Sequence, residues 1–259
     1  METDSFELFY QGEPPWDIGH PQKEIIQLER AGEIVGSVLD VGCGTGENAL
    51  FLAEEGHEVL GIDFVPAAIQ KAQEKAAQRH LAATFLVLNA LELHTLGGTF
   101  DTVIDTGLFH VLSDEERPLF VGNLAAVMNR GGTYFMLGFS ELEPEPDFSK
   151  LKDFMPDFSK LKPGDYMPPR VTQAEIKNLF QDGWRINYIR QAIYELKLPD
   201  FSKLKPGDYM PPRVTQAEIK NSSQDEWRIN YIRQAIMEGQ LKLGEAHRGH
   251  AWLSSISKE

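Results

Sequence analysis

The chain has 259 residues, 42% of them hydrophobic, enough to bury a full core as one domain. Its 39 acidic residues outnumber 25 basic ones, and a formal net charge of −14 argues against DNA, RNA or anionic membranes as partners, because polyanions need a basic surface to displace their counterions. The single cysteine, Cys43, leaves neither a disulfide framework nor a cysteine metal cluster to build.

In chain order, Met1 to Asp4 lacks the basic and apolar regions of a secretion signal, and no run of about 18 apolar residues follows, so a soluble cytoplasmic protein is expected. Phe6 to Tyr10 and Pro14 to Gly19 form an aromatic lead-in, stiffened by two prolines before Trp16 and too broken for a regular element. Gln22 to Ala31 carries Ile25, Ile26 and Leu28 and reads as one amphipathic helix stopping at Gly32. Val38 to Val41 then feeds three close glycines, Gly42, Gly44 and Gly46, before a helical segment from Asn48 to Glu55. Strand, tight turn and helix N-terminus make a cradle for a nucleotide-like ligand. The dinucleotide fingerprint needs glycine at its sixth position, where Glu47 stands, so an NAD-dependent oxidoreductase keeps the fold but fails the motif.

Glu58 to Asp63 reads as a second buried strand ending in an acid that can accept both hydroxyls of a ribose. Pro66 to His80 is a helix with Pro66 in its first turn and a narrow stripe of Ile69, Ala72 and Ala76. Thr84 to Asn89, Phe100 to Asp105 and Gly131 to Leu137 are the third to fifth strands, with a helix from Ser113 to Asn129 that Ser113 caps. Strands alternating with helices imply a doubly wound, Rossmann-like, mostly parallel sheet with right-handed crossovers.

From about Tyr10 to Ser140 this set resembles the class I S-adenosylmethionine-dependent methyltransferases: an acid, Asp40, ahead of G-x-G-x-G, then Asp63, Asn89 and Asp105 at successive strand ends. The resemblance implies S-adenosylmethionine as cofactor, its methionine end on Gly42, Cys43, Gly44 and Gly46 with Asp40 and Asp105, its ribose on Asp63 beside Phe64, and its adenine beside Asn89 and Ala90. It also implies seven strands with an antiparallel C-terminal hairpin strand. The lead-in looks like the N-terminal cover of the thiopurine, thiol and halide methyltransferase group, which puts Trp16 over the cofactor. Cys43 itself reads as a small buried side chain in a crowded turn.

A duplication follows. Pro156 to Leu198 recurs from Pro199 to Leu241 with six differences, and Pro146 to Lys152 copies the opening of the unit. Two 43-residue copies on a complete nucleotide fold make no solenoid. One domain, 1–259, is therefore expected, with cover and first helix in 1–36, the cofactor core in 37–140 and the duplicated C-terminal part in 141–259. The sheet needs one copy of the strand-like piece, Trp184 to Tyr194 or Trp227 to Met237, and a partner such as Ala251 to Ile256. Leu179 and Phe180, replaced by Ser222 and Ser223 in the second copy, give the first copy's helix the better apolar face. The second copy, however, closes the shorter loop and is expected in the sheet, while an extruded first copy would offer an edge for strand swapping into a homo-oligomer.

The chemistry implied is displacement at an activated methyl carbon by a small-molecule acceptor, a thiol or other soft atom by resemblance. His110, beyond the fourth strand, is the candidate general base, and Tyr10 in the cover is a second. Tyr166 and Arg170, or Tyr209 and Arg213, could line the acceptor pocket. No metal is expected: Asp101 opens its strand and Asp105 closes it, so they cannot share an ion. A protein that binds the cofactor but has its acceptor pocket blocked by the duplication is the alternative.

Overall fold

Apolar runs become strands and the segments between them helices in the computed structural model, which describes residues 6, 7, 10, 14, 16–142, 170–196 and 247–259. The elements are α1 (Lys23–Arg30), β1 (Val38–Val41), α2 (Glu47–Glu54), β2 (Val59–Asp63), α3 (Pro66–Arg79), β3 (Ala83–Val87), β4 (Phe100–Thr106), α4 (Glu116–Val127), β5 (Met128–Phe139), α5 (Gln173–Leu179), β6 (Trp184–Leu196) and β7 (His247–Lys258), with 3-10 turns over Ala90–Leu96 and Phe109–Val111. They build one seven-stranded sheet in the order β3-β2-β1-β4-β5-β7-β6. β1 to β5 pair in parallel through helical crossovers, and β7 runs antiparallel between β5 and β6. The connections leave β1 in opposite directions toward β2 and β4, which opens a crevice at the carboxyl ends of those strands.

β1 is buried along its whole length, Asp40 included, so the crevice floor is rigid. Pro66 starts α3, whose buried stripe is Ala68, Ile69, Ala72 and Ala76. Ahead of α4, the Ser113 N–H donates to the Glu116 carboxylate at 2.9 Å and the Glu116 N–H donates to the Ser113 hydroxyl at 3.2 Å, a reciprocal pair that turns the chain into the helix. β3 stops at Val87, short of the expected Asn89, because the Asn89 side chain accepts the Leu91 N–H at 2.9 Å and begins the 3-10 turn. Cys43 is half-buried, not fully enclosed as expected, because one side of its turn faces a cleft. Among the described residues no helix is long and apolar enough to cross a membrane.

The C-terminal edge corrects the sequence expectation. The strand beside β7 is β6, from the first copy and not the second. Three of the six divergent positions supply the reason. Phe180 is buried against Phe109, Tyr134 and Trp184, with ring centroids 6.2, 5.7 and 5.3 Å away, where the second copy has Ser223. Gly183 turns at φ +81°, a conformation that penalises the Glu226 of the second copy. Tyr194 is buried over the crevice, where the second copy has Met237. Side-chain burial outweighed loop length, whose cost grows only logarithmically. The first copy is thus not extruded: it forms the edge strand of the sheet. The second copy and the Pro146 to Lys152 fragment lie outside the described residues.

Phe180→Ser, which installs the second copy's residue, is expected to cost about 4 kcal/mol through the cavity it leaves among three aromatic rings. Equilibrium unfolding in urea would measure it, and a loss under about 1 kcal/mol would mean that the site collapses without penalty.

Candidate active site

The turn after β1 is built backbone to backbone. The N–H groups of Gly42 and Cys43 both donate to the Ile62 carbonyl at 2.8 Å, which ties the turn to β2. The Gly44 N–H donates to one oxygen of Asp63 at 3.0 Å, and the Val65 N–H donates to the other at 2.9 Å. Gly44 has φ +54°, and a Cβ there would lie 2.9 Å from the Tyr10 hydroxyl. Gly46 has φ +84°, and a Cβ there would lie 2.8 Å from the Phe85 ring. Both need glycine for conformation and for space. Asp63 is fixed by these amides and keeps lone pairs for a further donor pair; burial raises its pKa and the backbone donors of Val65, Gly44 and Phe64 oppose that.

Beneath the turn lie two more acids. Asp40 is fully buried, and neither of its carboxylate oxygens has a hydrogen-bond partner among the described residues. Burial, then the charge of Asp105, pushes its pKa up to about 8. Asp105 accepts the Leu108 and Phe109 N–H groups at 2.8 and 3.0 Å and the Tyr134 hydroxyl at 2.8 Å, yet burial still pushes it up to about 7. Meanwhile Glu47, in the first turn of α2, occupies the positive end of that helix with the protein's own carboxylate. Asp40, without a hydrogen-bond partner among the described residues, and the buried Asp105 beside it suit a ligand carrying positive charge and disfavour a pyrophosphate. S-adenosylmethionine, with a sulfonium and an ammonium at one end, fits that donor set.

The cover lies on top. The Trp16 indole N–H donates to the Tyr10 hydroxyl at 3.1 Å, and Phe6 packs edge-on against Phe64 at 5.5 Å. Trp16 lines a cleft with Gly42, Cys43, Gly44, Gly46 and Asn48, closed at its far end by Thr106 and Tyr194. The structure therefore brings Tyr10, Trp16, the glycine turn, Asp63 and Phe64 together, with Asp40 and Asp105 below. Asn89 and Ala90 follow β3 at the same carboxyl edge, one strand beyond Asp63; Asn89 is exposed and Ala90 buried.

His110 stands apart from the turn, behind Tyr194. It is 4% exposed, its ring sits edge-on to Phe139 at 5.0 Å and Tyr194 at 6.4 Å, and its Nδ1 has no hydrogen-bond partner among the described residues. Burial, then the Arg117 charge, lowers its pKa to about 3, so the imidazole stays neutral. Burial raises the Tyr10 pKa well above that of a free phenol, which removes a ready base from the cover. Tyr166, Tyr209 and Arg213 lie outside the described residues, and Arg170 is half-buried beside Val171.

Gln22, Asn48, Thr106 and Tyr194 are among the cleft residues that the sequence did not single out. The Asn48 amide donates to the Thr106 hydroxyl at 2.9 Å and bridges the β1 and β4 turns. Gln22 donates to the Glu195 carbonyl at 2.8 Å and accepts the Glu195 N–H at 2.9 Å, so it holds β6 over the cleft. Tyr194 alone had a signal, as one of the six positions at which the copies differ.

Asp40 and Asp105 hold their protons in the fold to higher pH than in the unfolded chain. Their contribution is full at low pH and is lost as the pH climbs from about 4 to about 8. The ligand-free protein is expected to lose at least about 1 kcal/mol between about pH 5 and pH 8 in thermal or urea unfolding, and Asp40→Asn to flatten that slope. A slope unchanged by Asp40→Asn would remove Asp40 from the account.

Comparisons with known proteins agree with this geometry. A methyltransferase domain is recognised over residues 38–132, from β1 to the paired glycines of β5. The 2-heptyl-1-hydroxyquinolin-4(1H)-one methyltransferase of Mycobacteroides abscessus is 34% identical over 198 residues, covering 73% of this chain and 80% of that protein. The probable thiol methyltransferase 2 of Arabidopsis thaliana is 28% identical over 131 residues, covering 49% of this chain and 58% of that one. A solved structure described as "Conversion of a Disulfide Bond into a Thioacetal Group during Echinomycin Biosynthesis" matches with a TM-score of 0.72 and 29% identity, over 100% of this chain and 93% of that one. With the glycine turn, the acid at the end of β2 and a seven-stranded sheet in this order, the chain belongs to the class I S-adenosylmethionine-dependent methyltransferases.

Proposed function

We propose that this enzyme transfers a methyl group to the thiol or another soft, acidic heteroatom of a small molecule. When bound, S-adenosylmethionine supplies an activated methyl on a sulfonium, and the chain's residues bind, orient and exclude water. In this reading Gly42, Cys43, Gly44 and Gly46 carry the methionine end, and Asp40 and Asp105 offset its positive charge from below. Asp63 and Phe64 hold the ribose, and Asn89 and Ala90 flank the adenine. Trp16 and Tyr10 close over the turn, so Tyr10 belongs to the cover and not to proton transfer.

The acceptor class is supported by the neutral Nδ1 of His110, which has no hydrogen-bond partner among the described residues and lies behind Tyr194 at the end of the cleft. So weak a base does not strip an alcohol, but it accepts a hydrogen bond from an acceptor that brings its own acidity. A thiol, ionising near pH 8.5, meets that requirement. Sulfur chemistry in the two relatives named for it supports the same choice. An aromatic N-hydroxyl is the second reading, favoured by the substrate in the name of the mycobacterial relative.

Turnover of a panel of aromatic thiols and N-hydroxy heteroaromatics, followed by methylated product, tests the proposal. His110→Ala is expected to lower kcat/KM by about 10- to 100-fold. The wild-type rate is expected to rise with the acceptor's own ionisation, with no inflection near pH 6.5 from the imidazole. Turnover of alcohols or amines in preference would overturn the acceptor class, and tight cofactor binding with no turnover of any acceptor would favour a blocked pocket.

A further inference from the structure

One flank of α3 carries Lys71, Lys75 and Arg79 at four-residue spacing, along the border of the buried Ala68, Ile69, Ala72 and Ala76 stripe. Each of the three bases reaches off its helix. Lys71 donates to the Tyr10 carbonyl at 2.9 Å and lies 6.0 Å from the Tyr10 ring centroid. Lys75 donates to the Thr45 hydroxyl at 2.6 Å and to Glu47 at 2.7 Å, and stands 3.7 Å from the Asp17 carboxylate. Arg79 meets Glu47 at 3.0 Å. Tyr10 and Asp17 belong to the cover, Thr45 and Glu47 to the glycine turn and the first turn of α2.

We infer that Lys75 is a positioning residue that fastens the glycine turn and the cover to α3 as one unit, so that cofactor affinity is set partly by a side chain outside the cleft lining. Lys75 reaches both halves of the site with one ammonium. Glu47, a tenth exposed, is shared between Lys75 and Arg79, which orients its carboxylate and with it the start of α2. A lone exposed ion pair would contribute little, but here two hydrogen-bond acceptors, Thr45 and Glu47, and the Asp17 carboxylate 3.7 Å away surround one ammonium that is itself only 24% exposed. Without that ammonium, closing the cover no longer orders the turn, and each must be ordered separately when ligand binds.

The inference rests on the reading of the glycine turn and cover as the cofactor site. S-adenosylhomocysteine is the suitable probe, because it lacks the sulfonium charge whose repulsion from Lys75 would mask the effect. Lys75→Met keeps a helix former of similar length at a half-buried position. The variant is expected to bind the probe about 10-fold more weakly in calorimetry, with kcat at saturating cofactor within about twofold of wild type. In hydrogen exchange, amides of 16–20 and of 43–48 are expected to lose protection together. Asp17→Asn, which releases the cover alone, is expected to weaken binding by about threefold and to leave 43–48 protected. Unchanged affinity in Lys75→Met, or deprotection of only one of the two segments, would overturn the inference. Failure of the wild type to bind the probe would instead overturn the cofactor-site reading beneath it.

Discussion

The hydrogen bond from the Gly44 N–H to the Asp63 carboxylate, 3.0 Å across the ends of two parallel strands, is the constraint on which the site depends. It turns the chain after β1 toward β2, and it aims the Asp63 carboxylate while leaving it able to accept more donors. It also requires a residue with no side chain at position 44, where the Tyr10 hydroxyl comes down from the cover. Acid, turn and cover are therefore set by one contact. Below it the orphaned Asp40 and the coupled Asp105 give the crevice an acidic floor, which distinguishes a sulfonium ligand from a pyrophosphate on electrostatic grounds.

The second constraint comes from the far end of the chain. β6 is held over the crevice because Gln22 exchanges two hydrogen bonds with the Glu195 backbone, Lys23 meets the Glu195 carboxylate at 2.8 Å, and Arg190 meets Glu24 at 2.7 Å. The start of α1 and the edge of the sheet thus close the cleft from one side, as the basic ridge of α3 does from the other. Tyr194 is delivered by this clamp to the space above Gly107, where an added Cβ would stand 2.7 Å from its hydroxyl. That end of the cleft is closed by an element two strands beyond β5 in the sheet, and it is the element the duplication copied.

The parts of the site that follow from local chemistry were legible in the sequence. Gly44 and Gly46 announce a turn, Asp63 and Asp105 mark strand ends, and the Ile69, Ala72 and Ala76 stripe marks the buried side of α3, because each depends on neighbours a few positions away. What long-range contacts decide was not legible. The occupancy of β6 turned on Phe180 finding a pocket between Phe109 and Tyr134, and on Gln22 reaching a strand 173 positions away. Loop length pointed to the second copy, whereas the apolar face that Leu179 and Phe180 give the first copy pointed to the one that occupies the sheet. Asn89 shows a smaller case: its side chain looked like the end of a strand, but capped the next turn and ended β3 early. The basic ridge of Lys71, Lys75 and Arg79 finds its partners in two different parts of the site, which only the fold shows.

The measurement that bears most directly on the central claim is calorimetric titration of the purified protein with S-adenosylhomocysteine and with NAD, in wild type and Asp63→Ala. Saturable binding of the homocysteine product, weakened at least about 10-fold by Asp63→Ala and with no heat from NAD, is the expected result. Equal affinity in Asp63→Ala, or preference for NAD, would contradict the assignment of the glycine turn and Asp63 as the cofactor site.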